Sequence, residues 1–172
     1  MQIYSNMRIK TLILTVFLSL LSVNLYAGEN DWYMLFSPSC FVNPLQRHSL
    51  QGVQLGFEKE LSGRNITGFS VFGRSKQLYR KADFKDAEYS LVGYYKPSVA
   101  TGKNSNLYVS VGGNLGSGSK GVTFGLNLGL EYNLTLPNRM KVFVSQDNLL
   151  IFRSDDRLIS GLSIGVKIPL SL

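Results

Sequence analysis

The sequence predicts an all-β fold: a small up-and-down antiparallel transmembrane β-barrel, eight strands in all, preceded by a cleaved signal peptide. Three observations carry the prediction. An apolar run follows two cations near the start of the chain, short segments of alternating apolar and polar residues fill the remainder, and the polar faces of those segments are rich in glycine. Strand side chains point alternately to opposite faces, so each such segment has one apolar and one small or polar face. The clearest is Gly121 to Asn133. Val122, Phe124, Leu126, Leu128, Leu130 and Tyr132 share one parity, and Thr123, Gly125, Asn127, Gly129, Glu131 and Asn133 the other.

At 172 residues the chain is one domain, with 17 Gly, 5 Pro and a formal net charge of +7. A basic balance bears on solubility and on contacts with phosphate-rich surfaces rather than on fold. Cys40 is the only cysteine, which excludes an intramolecular disulfide and a CxxC metal site.

Arg8 and Lys10 precede the apolar stretch Thr11 to Val23, and Ala27 offers a small residue before Gly28. These are the charged region, apolar core and cleavage site of a secretory signal. The core is shorter than the roughly 20 residues a spanning helix needs. The expected organisation is a signal peptide at 1–27, cut between Ala27 and Gly28, and a barrel domain at 28–172. Met1 and Met7 are both possible starts.

Along the expected mature chain, Trp32, Met34 and Phe36 alternate with Tyr33, Leu35 and Ser37 in an aromatic first strand. The second, Gly52 to Glu58, sets Val53, Leu55 and Phe57 against Gly52, Gln54, Gly56 and Glu58. Turn residues Ser62 to Asn65 lead to Ile66–Arg74, with Phe69 and Val71 on its apolar face. Glu88 to Lys96 places Tyr89, Leu91 and Tyr95 opposite Glu88, Ser90 and Tyr94. Leu107 to Leu115 and the Gly121 strand follow. Met140 begins a segment whose parity becomes ambiguous after Ser145, where Gln146, Asp147 and Asn148 suggest a bulge. Leu158 to Leu170 closes the chain, with Leu162, Ile164, Val166 and Ile168 opposite Gly161, Ser163, Gly165 and Lys167.

Eight strands suit a bacterial outer-membrane barrel, which uses even numbers, short periplasmic turns and longer outer loops. The outer connections are then expected at 39–49, 75–86, 116–120 and 153–157. A soluble sandwich would bury the apolar faces instead, and no single strand separates the two readings. The terminal stretch Ser163 to Leu170 favours the membrane: it looks like the closing strand read by barrel assembly machinery, although it lacks a terminal aromatic and contains Pro169.

If the polar faces line the lumen, Glu58, Glu88, Glu131, Lys141 and Lys167 come inside it. Buried charges must pair or be hydrated, so a luminal network centred on Glu131 and Lys167 is expected. Glycines on the same faces relieve crowding in a lumen barely wide enough for side chains. In the 75–86 loop, Lys76, Arg80, Lys81 and Lys85 form an expected contact surface for lipopolysaccharide phosphates or a partner protein. Tyr79 and Phe84 offer stacking faces there, but direct nucleic-acid contact is not expected. His48, the only histidine, stands beside Ser49 without the partners that would fix a catalytic arrangement. No phosphate-binding glycine loop or metal-spaced cluster occurs, so no enzyme activity, cofactor or metal is expected.

The alternating strands, the run Gly125 to Leu134, the turn into Arg139 and the closing Gly161 to Lys167 together resemble the TraO family of conjugal transfer proteins. The resemblance covers most of the expected mature chain and is strongest from about Leu107 onward. It departs from the family at Gln146, Asp147 and Asn148, where relatives often carry a more charged run. The resemblance implies a structural component of a conjugative DNA-transfer apparatus in the outer membrane of a Gram-negative bacterium. It also implies other transfer-apparatus proteins as partners and assigns no enzymatic activity. A stand-alone small barrel for adhesion or limited solute passage is the alternative, and a lipid hydrolase using His48 a third.

Overall fold

Alternation with a period of two gives every strand a wet and an apolar side, and turn residues between strands let each fold back on its predecessor. A computed structural model describes residues 31–46, 48–75, 87–118, 121–137 and 139–170. Its strands are β1 (Trp32–Asn43), β2 (His48–Glu60), β3 (Ile66–Ser75), β4 (Glu88–Lys96), β5 (Ser98–Thr101), β6 (Ser105–Gly118), β7 (Gly121–Thr135), β8 (Lys141–Phe152) and β9 (Leu158–Leu170). Hydrogen bonding runs in the order β4-β3-β2-β1-β9-β8-β7-β6, and an antiparallel β4–β6 pairing closes the ring. The result is a closed eight-stranded barrel. The short β5 stands outside that count and pairs only with the start of β6.

Three details differ from the sequence expectation. The expected 39–49 connection shrinks to 44–47, because β1 continues through Pro38 to Asn43 and β2 begins at His48. Proline survives there because its missing N–H faces one seam only: Pro38 stays in register with Val53 of β2, while on the β9 side Ser37 Oγ donates to the Ile164 carbonyl at 3.0 Å. Gly116, Ser117 and Gly118 belong to β6 rather than to a loop. Finally, no bulge occurs at Gln146–Asn148. The β8 register stays unbroken against β7 from Thr135↔Lys141 to Phe124↔Phe152, and against β9 from Lys141↔Lys167 to Leu150↔Leu158.

Outside, the wall is apolar. Leu55, Val71, Val111, Leu126, Leu128, Leu162 and Ile164 are all exposed, which is the distribution of a transmembrane barrel and the reverse of a sandwich. Aromatic residues flank this band. Phe124 and Phe152 stack at one end with ring centroids 5.2 Å apart, and Tyr132 and Tyr95 lie toward the other. Phe124 and Tyr132 are separated by about 27 Å along β7. With a strand tilt near 40° this amounts to about 20 Å of height, close to the apolar band of an outer-membrane barrel.

Inside, the barrel is filled in two ways. Toward the end that carries the β1–β2 and β8–β9 connections, here the far end, Phe41, Leu50, Phe72, Val92, Leu149 and Ile151 pack with Tyr94 and Ile159 into an apolar cluster. Toward the terminal end, where β1 starts and β9 finishes, the filling is ionic. Glycines fit the large rings: a Cβ at Gly52 would stand 2.8 Å from the Phe72 ring, and one at Gly165 2.5 Å from the Phe143 ring. The expectation of a polar lumen therefore holds for the terminal half and needs correction in the far half. There β8 is apolar on both faces, with Leu149 and Ile151 inward and Leu150 and Phe152 outward.

Candidate functional site in the lumen

Inward parity on four strands brings Glu58 of β2, Lys96 of β4, Glu131 of β7 and Lys167 of β9 to one layer of the lumen. These are alternate strands of the eight-strand ring, and the charges alternate in sign around it. Alternate strands of a barrel present their side chains at matching heights, as layers inside other closed barrels do. Lys96 Nζ lies 2.6 Å from Glu58 Oε1 and 2.5 Å from Glu131 Oε2. Lys167 Nζ lies 2.5 Å from Glu58 Oε2 and contacts Glu131 Oε1. Each of the four carboxylate oxygens thus has one ammonium partner.

Lys96 donates a hydrogen bond to each carboxylate and Lys167 donates one to Glu131 Oε1, while Lys167 meets Glu58 Oε2 as an ion pair without a hydrogen bond. Aromatic faces stand near both nitrogens: Lys96 Nζ is 4.3 Å from the Tyr94 ring centroid and Lys167 Nζ 4.9 Å from that of Phe143. No quartet member exceeds 7% side-chain exposure. Desolvation of four charges is offset only because they neutralise one another in a closed cycle.

Two further pairs lie at other heights. Lys141 binds Glu60 at 2.6 Å and stands 4.3 Å from the Tyr33 ring centroid. Lys141 and Lys167 are direct ladder partners, an arrangement of like charges that is tolerable because each turns to a different carboxylate. Near the far end Arg74 binds Glu88, with Nε 2.9 Å from Oε2, and Ser154 Oγ donates to Glu88 Oε1 at 2.9 Å. Between the apolar cluster and the quartet is a cavity of about 40 Å³ whose lining includes Phe41, Leu149, Asp147, Lys96 and Glu131. It has room for about three waters. Asp147 accepts a hydrogen bond from Ser145 Oγ at 2.8 Å there.

Of the five residues expected in one network, the structure brings Glu58, Glu131 and Lys167 together. It places Lys141 in a separate pair with Glu60, and Glu88 in another with Arg74 near the far end. Lys96 and Glu60 were missed. Both carried a legible signal: Lys96 continues the parity of Glu88, Ser90 and Tyr94, and Glu60 that of Glu58. Arg74 similarly shares the inward parity of Ser70 and Phe72. Lys76, Arg80, Lys81 and Lys85 lie outside the described residues, as do Ala27 and Gly28. The backbone of His48 opens β2, and its side chain is likewise outside the description.

Chemically, the quartet is a neutral plug. Its charges are engaged with one another, and it spans the lumen from strand to strand.

No family model matches the chain, and no curated protein matches it. Solved structures do. Neisserial surface protein A (NspA) matches with a TM-score of 0.59 at 12% identity, covering 84% of this chain and 99% of its own. The fold is that of a small outer-membrane barrel. Ail, the attachment invasion locus protein of Yersinia pestis, solved in complex with the heparin analogue sucrose octasulfate, matches with a TM-score of 0.49 at 13% identity. That match covers 82% of this chain and 97% of Ail. At these identities the likeness concerns the fold alone.

Proposed function

We propose that the protein is a stand-alone barrel of the Gram-negative outer membrane that acts through its surfaces, as an adhesion or interaction protein, and not as a solute channel. The observation that carries this reading is the closed ring of Glu58, Lys96, Glu131 and Lys167 across the lumen. An ion crossing it would have to break buried pairs whose members are costly to leave alone. The apolar exterior supports insertion in lipid, and the likeness to a protein named as a surface protein is in keeping with it. The cations Lys76, Arg80, Lys81 and Lys85, between β3 and β4 in sequence, provide charge for lipopolysaccharide phosphates. Reconstitution in planar bilayers tests the closed lumen. No steady conductance is expected from the wild type, whereas reproducible channel steps with the quartet intact would defeat the proposal.

A second reading rests on the sequence from Gly125 to Leu134 and Gly161 to Lys167, whose resemblance to TraO proteins favours a component of a conjugative transfer apparatus. Deletion of the gene would then abolish transfer and the intact gene restore it. Undiminished transfer in the deletion strain removes this reading and leaves the first standing.

A further inference from the structure

One luminal carboxylate stands outside every ion pair described above. Asp147 has inward parity on β8, and its ladder neighbours on both seams are glycines, Gly129 on β7 and Gly161 on β9. It accepts one hydrogen bond, from Ser145 Oγ to Oδ2 at 2.8 Å, and no lysine or arginine among the described residues forms an ion pair with it. Asp147 lines the cavity between the apolar cluster and the quartet, and the other charged residues of that lining are Lys96 and Glu131. Lys96 Nζ is engaged by Glu58 at 2.6 Å and by Glu131 at 2.5 Å. One cation against two carboxylates leaves the lining with one negative charge in excess, and an uncompensated carboxylate in so enclosed a space is costly.

Neutral oxygens without partners border the same space. Tyr94, only 6% exposed, and Asn127 both line the cavity, and Tyr94 Oη and Asn127 Oδ1 are buried with no hydrogen-bond partner in the chain. A buried polar atom left so is unusual in a folded protein and points to something bound beside it. Glycine makes room for two of the oxygens concerned. A Cβ at Gly129 would stand 2.5 Å from Asp147 Oδ1, and one at Gly112 would stand 2.5 Å from Asn127 Oδ1.

From this arrangement we propose that the cavity binds one small monovalent cation such as sodium, with Asp147 as its charged ligand and Tyr94 Oη, Asn127 Oδ1 and water as neutral ones. The donor set selects the class. All its atoms are oxygens, which suit hard cations. Calcium is held by several carboxylates and carbonyls, and magnesium demands near-ideal octahedral geometry. Among the described residues no group of three or more His, Cys, Asp or Glu could hold such an ion, and a single excess charge is matched by a single positive one. The volume, about 40 Å³, accepts a bare ion with about two waters and excludes an organic ammonium. The inference goes beyond the surface role proposed above and needs only the closed lumen.

The test is reversible urea unfolding of the protein in detergent micelles, with sodium chloride replacing choline chloride at constant ionic strength. At a fixed urea concentration in the transition, sodium is expected to raise the folded-to-unfolded ratio of the wild type by about five-fold or more, as a ligand bound by the folded state alone does. Asp147→Asn, nearly the same shape without the charge, should give one ratio in both salts. Tyr94→Phe keeps the ring beside Lys96 and removes only the hydroxyl, so it should weaken the sodium effect. Equal wild-type ratios in the two salts would overturn the site, whatever the variants do. An undiminished sodium effect in either variant would overturn it too, by placing the ion elsewhere. Stabilisation by acid that is the same in sodium and in choline would assign a proton to Asp147 in place of the cation and reject the proposal.

Discussion

The two halves of the lumen fill the same eight-strand cross-section by opposite means. In the far half, Phe41, Leu50, Phe72 and Leu149 occupy space as an ordinary core does, by non-directional contact. In the terminal half, Glu58, Lys96, Glu131 and Lys167 occupy it as a cycle in which each member holds two others. The first filling tolerates loss in increments, because each methylene contributes on its own account. The second fails abruptly, because removing one charge leaves its neighbours buried without a counter-charge.

Lys167→Met should separate these regimes most widely. It leaves Glu58 and Glu131 sharing Lys96 alone, and a loss of about 3–5 kcal/mol is expected in reversible urea unfolding in detergent micelles. Ile159→Val in the apolar cluster should cost only about 0.5–1.5 kcal/mol. Adding Glu131→Gln to Lys167→Met restores neutrality by leaving one Glu58–Lys96 pair, so the double variant should be more stable than the two single losses sum to, with a coupling of about 0.5–3 kcal/mol. Additive losses would mean that the four residues do not act as a cycle.

Tight glycines occur in both halves, Gly125 of the far half setting a Cβ 2.2 Å from the Leu150 carbonyl, so their cost is decided by what each one meets. A Cβ at Gly165 would meet the Phe143 ring and the Phe36 carbonyl, both at 2.5 Å, and a backbone oxygen in a barrel wall cannot easily withdraw. At Gly52 the nearest atoms are the Phe72 ring at 2.8 Å and Ser39 Oγ at 3.0 Å, which are side-chain atoms able to turn aside. Gly165→Ala should therefore cost about 1–3 kcal/mol, and Gly52→Ala less, in the same unfolding measurement. The reverse order would show that the Phe72 ring and Ser39 beside Gly52 yield less readily than the wall around Gly165.

How far the sequence discloses this arrangement depends on the strand. In β7 every odd residue is small or polar and every even one apolar, so the inward direction of Glu131 can be read directly, and its burial at 2% exposure agrees with that reading. In β4 the same parity points to Lys96, but Pro97 follows at once and a strand-end lysine reads equally well as a solvated turn residue. In β8, Leu149 to Phe152 is apolar on both faces because one face meets lipid and the other the luminal cluster. Alternation then carries no signal, and only the unbroken register with β7 and β9 decides direction. The grouping into quartet and separate pairs depends on strand order around the ring, which pairing supplies and local pattern does not.

The smallest effect is expected where charge lies outside both halves. Arg139 occupies the β7–β8 connection at φ +64 and stands 3.9 Å from Asp31, with side-chain exposures of 76% and 53%. An exposed pair at this separation contributes at most a few tenths of a kcal/mol after screening. The left-handed backbone is the larger consideration, since a non-glycine residue there carries strain of about 1 kcal/mol. Arg139→Gly relieves that strain but widens the unfolded ensemble by about 0.4–1 kcal/mol, so the two nearly cancel. Arg139→Ala keeps the strain and loses only the pair. Both variants should unfold within about 1 kcal/mol of wild type, and raising salt should narrow the difference between Arg139→Ala and wild type further. A loss comparable to that of Lys167→Met would mean that charge stabilises this barrel by sign alone, irrespective of burial, and the contrast between ionic cycle and solvated rim would no longer hold.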